Sequence, residues 1–181
     1  MLHTVHFFSP VTMSSVSLLQ DRCLTAIGNG ATHLNLHISS SGGDTVAGFT
    51  AYNFLKSLPI PITTHNISNV ESMANIIFMA GSVRKANPMS RFLLHPLHWG
   101  FNGQVDHSRL NEWSACLNDD LNRFINIMEL ETNGAKSVEQ WSEIITSATL
   151  VSPSAAAEMG ILHEITPATL ADSAFNFWVT C

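Results

Sequence analysis

Three short β-rich runs, each followed by apolar residues at helical spacing, set the tightest limit on how this chain can fold. The runs are Thr4 to Phe8, His33 to Ile38 and Ile60 to Ile67, the last two rich in alternating or β-branched residues. Val16, Leu19, Cys23 and Ile27 mark a helix after the first, ended by Gly28-Asn29-Gly30. Val46, Phe49, Phe54 and Leu55 mark one after the second, stopped by Pro59 and Pro61. Met73, Ile76, Ile77 and Ala80 mark one after the third. Strand, helix, strand, helix in alternation predicts an α/β domain built from parallel crossovers.

The remainder continues in the same style. Ser90 to His95 reads as a short strand. Leu110, Trp113, Leu117, Leu121, Phe124 and Met128 then step by three or four residues along one face, predicting a long amphipathic helix ended by Asn133-Gly134. Ser137 with Gln140 three residues on predicts a capped helix over Ser137 to Ile145. Ser152-Pro153 opens a short helix that Gly160 closes. Ile161 to Ile165 is read as a final strand and Pro167 to Trp178 as a C-terminal helix. No repeat, low-complexity tract or linker interrupts the chain, so residues 1–181 are read as a single domain.

Composition narrows the function. Of 181 residues 45% are apolar, enough for a substantial core, while only 12% are charged. A chain so sparsely charged is expected to hide surface in subunit contacts, and the long helix is too long for so small a domain to cover. The net charge of −6, with few and scattered Lys and Arg, offers no footprint for nucleic acid. The apolar runs are too short to span a bilayer, and the N-terminus lacks the basic region and cleavage site of a signal peptide. Cys23, Cys116 and Cys181 are widely spaced and read as reduced thiols of a cytoplasmic protein. The nine histidines form neither HxxxH nor HExxH, so no metal and no cofactor is expected.

Two stretches could carry chemistry. Ser72 lies between the third strand and its helix, where unpaired backbone N–H groups can stabilise an oxyanion. As a helix cap it would need no further role, since serine is a preferred N-cap. Ser41-Gly42-Gly43-Asp44 lies at the corresponding junction after the second strand. It is either an ordinary turn or an oxyanion donor, and the phosphate-loop patterns GxGxxG and GxxxxGK[ST] are absent. His95 ends a strand, and catalytic groups of open α/β sheets gather beyond the carboxyl ends of strands. It is either a structural imidazole or the general base that a serine nucleophile requires.

Four motifs in order bring a resemblance. Ser-Ser-Gly-Gly, Glu-Ser-Met-Ala with Met-Ala-Gly, Phe-Leu-Leu-His-Pro and Ser-Pro-Ser-Ala-Ala-Ala-Glu-Met-Gly-Ile-Leu resemble the ClpP family of serine peptidases over roughly residues 5 to 166. The resemblance implies a ClpP/crotonase-like α/β fold of repeated ββα units with a long protruding handle helix. It implies Ser72 as nucleophile, His95 as general base, and the backbone N–H groups of Gly43 and Met73 as the oxyanion hole. It implies a serine endopeptidase acting on peptides or unfolded proteins, assembled as a homo-oligomeric ring through the helix around residues 106–133.

The sequence also departs from the family pattern. Ala148 stands at the position of the family's third triad member, an aspartate, and no Asp or Glu lies between Glu143 and Glu158. Thr149, Ser147 and Glu71 are the candidates to orient His95 in its place. His98, two residues beyond the Pro96 that follows His95, is a weaker candidate base. The short segment before the first strand speaks against a dedicated ATPase partner. The second reading, motivated by Ala148, is a catalytically weak or silent ring-forming homologue.

Overall fold

The computed structural model describes residues 1–170 and 175–180. The alternation read from the sequence is present: β1 (Leu2–Phe7), α1 (Met13–Gly28), β2 (His33–Ser40), α2 (Thr45–Ser57), β3 (Ile62–Glu71) and α3 (Ala74–Met79) follow one another. After them come β4 (Val83–Ala86), β5 (Arg91–Leu94), α4 (His107–Glu131), α5 (Val138–Thr146), β6 (Thr149–Val151), α6 (Pro153–Glu158), β7 (Glu164–Ile165) and β8 (Asn176–Val179). The central sheet runs β6-β5-β3-β2-β1-β8, parallel throughout except for the antiparallel β5–β6 pair. β3 changes partner along its length. Its Thr63–Asn66 portion pairs with β4, and Asn69–Glu71 pairs with β5. That switch brings the end of β3 beside the strand leading to His95.

Period two sorts the strand side chains between the two faces. Val5, Phe7, Leu34, Leu36 and Ile38 join Val16, Leu19, Phe49, Ile76 and Ile77 in one buried apolar cluster. All six residues of α3 are buried, so this short helix is an axle of the core rather than a surface element. Arg84 is buried too; its guanidinium donates to the carbonyls of Gly81, Glu131, Gly160 and Ile161. A charge taken out of water needs such a full set of acceptors, and here it ties the ends of α3, α4 and α6 together.

The opposite face carries a row of imidazoles. His6, His37 and His65 are register partners on β1, β2 and β3, with ring centroids 5.0 and 5.6 Å apart. Burial lowers all three pKa values, and His37, between the other two, is lowered to about 4. Above pH 6.5 the imidazoles are neutral folded or unfolded. As pH falls below 6.5 the unfolded chain takes up protons that folded His37 refuses until about pH 4, so stability is lost across that window. The loss is on the order of 3 kcal/mol for His37 alone. Urea unfolding at pH 7.5 and 4.5 measures it, and the His37→Gln variant is expected to show a flatter dependence.

Several expectations are corrected. Pro167 to Trp178 is not a helix: Asn176–Val179 is β8, parallel to β1, while residues 171–174 lie outside the described residues. The aromatic run Phe175 to Trp178 favours a pleated edge, and pairing with β1 supplies its hydrogen bonds. Ile161 to Ile165 shortens to the two residues of β7. β4 and β6 escape the sequence reading because strands of four and three residues show too little periodicity. α4, the Ser137–Gln140 capping box and the Ser152-Pro153 helix start stand as read. Cys23 is a buried free thiol pushed up to about 12 by desolvation, Cys116 is free and exposed, and Cys181 lies outside the described residues.

Candidate active site

Ser72 and His95 follow directly on β3 and β5, and Gly43 lies three residues past the end of β2; the carboxyl ends of these three adjacent strands open on one cleft of about 470 Å³. Leu97, Trp99 and Leu117 form much of its apolar wall.

Ser72 is not a helix cap. Met73 occupies that position at α3, and no side-chain cap bond is made. Ser72 instead adopts φ 53, the left-handed region, at a cost of about 1–3 kcal/mol for a residue other than glycine. The turn is pinned by its N–H, which donates to the Leu93 carbonyl at 2.9 Å. Ser72 is 7% exposed, and among the described residues its hydroxyl makes no hydrogen bond.

Gly42 and Gly43 are required by close approach. Val11 N–H donates to the Gly42 carbonyl at 2.8 Å, and Asp44 N–H to the Val11 carbonyl at 2.8 Å. A Cβ on Gly43 would fall on the Val11 carbonyl oxygen, and one on Gly42 would come within 2.6 Å of the Ser72 Cβ. The glycine turn is therefore pressed against the serine turn. The Val11 bridge leaves the Gly43 N–H unused, and the Met73 N–H lies ahead of the first turn of α3. Neither donates to a protein acceptor among the described residues. Asp44 caps α2 through the Ala47 N–H.

His95 is half-buried, and its Nδ1 lies 2.8 Å from the carbonyl oxygen of Pro96. A carbonyl can only accept, so Nδ1 carries the proton and Nε2 is left with its lone pair. His98 stacks on His95 with centroids 6.1 Å apart and also lines the cleft.

None of the three candidates for the missing carboxylate bonds His95. Glu71 is held by Arg91 at 2.8 Å, Thr149 donates its hydroxyl to the Ile144 carbonyl at 2.8 Å, and Ser147 ends α5. Leu94 pairs with Thr149 at the last step of the β5–β6 register, so His95 and Ala148 are the residues that flank this final pair, each one position beyond its strand. Ala148 is exposed and left-handed at φ 54. Sequence reasoning missed Asn75 and the Pro96 carbonyl. The first is visible as a lone amide in an apolar run; the second is backbone and leaves no sequence signal.

Along α4 the predicted stripe changes character. Met128 and Phe124 are buried, Leu121, Leu117 and Trp113 half-buried, and Leu110 is 52% exposed. The N-terminal half of the helix stands away from the core with Trp99 and Phe101 packed on Trp113, centroids 6.0 and 5.4 Å apart. Among the described residues no helix is long and apolar enough to cross a membrane.

The sequence model of the family described as Clp protease matches residues 5–169. The ATP-dependent Clp protease proteolytic subunit 1 of Leifsonia xyli is 33% identical over 88 residues, 48% of this chain and 45% of the relative. Proteolytic subunit 2 of Borreliella burgdorferi is 30% identical over 95 residues, 49% of this chain and 48% of the relative. The alignments thus span about half the length of these curated relatives. A solved structure of a ClpP1 mutant from Listeria monocytogenes superposes with a TM-score of 0.80, covering 92% of each chain at 18% identity, a likeness of fold.

Proposed function

Given that the chain belongs to the Clp protease family, a family of serine peptidases, we propose that it is a serine endopeptidase with Ser72 as nucleophile and His95 as general base. The observation that carries this reading is the left-handed, unbonded Ser72 hydroxyl at a strand end, sharing a cleft with a histidine whose Nε2 is free. Ser72 Oγ attacks the scissile carbonyl as its proton passes to His95 Nε2. The oxyanion is received by the N–H groups of Gly43 and Met73; losing one such donor typically costs about 3–4 kcal/mol of transition-state stabilisation. His95 then delivers the proton to the leaving amine, and water, activated by the same imidazole, releases the acyl group from Ser72.

No cofactor is needed. The substrate is a peptide or an unfolded chain, the class on which peptidases of this family act. The Pro96 carbonyl fixes the His95 tautomer but brings no negative charge to the imidazolium, so the enzyme is slow. Assembly is part of the reading: the half-covered α4 with Trp113 and Leu110 meets a second copy, giving an oligomer in light scattering at micromolar concentration. A dedicated ATPase partner is not part of it.

The test is labelling with a fluorophosphonate probe followed by peptide mapping. A single adduct at Ser72 is expected. Adduct at no serine across pH 6 to 9 would favour the second reading, a silent ring-forming homologue, which the missing carboxylate at Ala148 supports.

A further inference from the structure

Asn75 is the single polar residue of α3, set among Ala74, Ile76, Ile77, Phe78 and Met79, and it is 1% exposed. A buried carboxamide is costly unless its groups are paired. Its Nδ2 donates to the Ser72 carbonyl at 2.9 Å and to the Leu93 carbonyl at 3.0 Å. Its Oδ1 has no partner among the described residues. Turning the amide over would set Oδ1 against two carbonyl oxygens, so the neighbours fix its orientation.

The two acceptors are the meaningful part. The Leu93 carbonyl also accepts the Ser72 N–H, and the Ser72 carbonyl also accepts the Asn75 N–H at 3.0 Å. One side chain therefore bridges the turn that carries Ser72 to β5, two residues before His95. A leucine would fill similar space with no orphaned oxygen. Keeping an amide there sacrifices one acceptor for a hold on a backbone turn that is otherwise strained, and such strain persists only where the surroundings over-determine it.

We infer that Asn75 is a positioning residue: its amide holds the left-handed Ser72 turn and sets the separation between Ser72 and the strand carrying His95. This rests on the peptidase reading above. Misplacing a reacting atom by about 1 Å can cost about 100-fold in rate.

The experiment compares wild type with Asn75→Leu, and with Asn75→Ala in case leucine overpacks. Three quantities are read: thermal midpoint, hydrogen exchange of the amides of residues 72–75, and the second-order rate of fluorophosphonate labelling at Ser72. The expected result for Asn75→Leu is an unchanged or raised midpoint, exchange at residues 72–75 faster by about tenfold or more, and labelling slower by about 10- to 100-fold. A purely structural amide would lower the midpoint and quicken exchange across the whole core, which overturns the inference. So does wild-type exchange at residues 72–75 in both variants. If wild type itself takes no label, the peptidase reading fails, and the exchange comparison still decides whether Asn75 holds the turn.

Discussion

Replacing Ser72 with alanine is expected to lower peptide hydrolysis by at least about 10³-fold while leaving the fold intact; removing the nucleophile of a serine protease typically costs on the order of 10⁶ in kcat. The two effects separate cleanly here. Ser72 sits at φ 53 and Ala148 already holds φ 54 in the same chain, so alanine is tolerated in this conformation. The hydroxyl makes no hydrogen bond among the described residues, so its loss leaves no partner unsatisfied. Thermal unfolding should therefore be unchanged. Ser72→Gly sharpens the contrast: it relieves the left-handed strain and should raise stability by about 1 kcal/mol while abolishing hydrolysis equally. A Ser72→Ala protein that still cleaved a fluorogenic peptide at the wild-type rate would remove Ser72 from the reaction.

The second large effect is a gain. Ala148→Asp is expected to raise kcat/KM by about tenfold or more, since in a serine protease exchanging the triad aspartate for its amide costs about 10⁴ in kcat. Position 148 and His95 each lie one residue beyond the last β5–β6 pair, Leu94 with Thr149, and the His95 Nδ1–H now has only the Pro96 carbonyl. A carboxylate there would accept the same proton and also stabilise the imidazolium as it forms. It would favour the charged imidazole in the resting enzyme as well, so the acidic limb of the kcat/KM profile should move to higher pH. The backbone is ready for it, because Asp adopts the left-handed region more readily than Ala. Ala148→Asn serves as the control: it can orient the ring without charge and should recover only a small part of the gain. Equal rates for wild type, Ala148→Asp and Ala148→Asn would show that His95 is not limited by a missing carboxylate.

Ser72, Gly43 and His95 are legible from the order of residues alone, because each stands where a β-rich run gives way to a turn or to glycine. Chain order puts such junctions at one end of a parallel sheet. Asn75 is noticeable as the one amide in an apolar helical run, yet its role depends on Leu93, eighteen residues away, and periodicity says nothing about that. A cap is the natural reading for a serine at a helix start. It fails at Ser72 because α3 starts one residue later than the pattern suggests: Met73 stands at the cap position, and Ser72, at φ 53, forms the turn that brings the chain off β3. The C-terminal segment misleads for a related reason: Phe177 and Trp178 pair with β1, a partner more than 170 residues away, and long-range pairing overrides a helical spacing that has no helix to pack against.

By itself the sequence determined the class of fold, the long helix, and which hydroxyl, imidazole and glycine lie at strand ends, since these follow from local periodicity and from the steric needs of single residues. The tertiary structure decided what those groups can do. It gave Ser72 its strained turn, left its hydroxyl unbonded, and handed His95 a backbone carbonyl where Ala148 offers no charge. The geometry of the cleft rests on contacts between segments distant in the chain, fixed by the parallel register of β2, β3 and β5, and register is a property of the packed sheet rather than of any one strand.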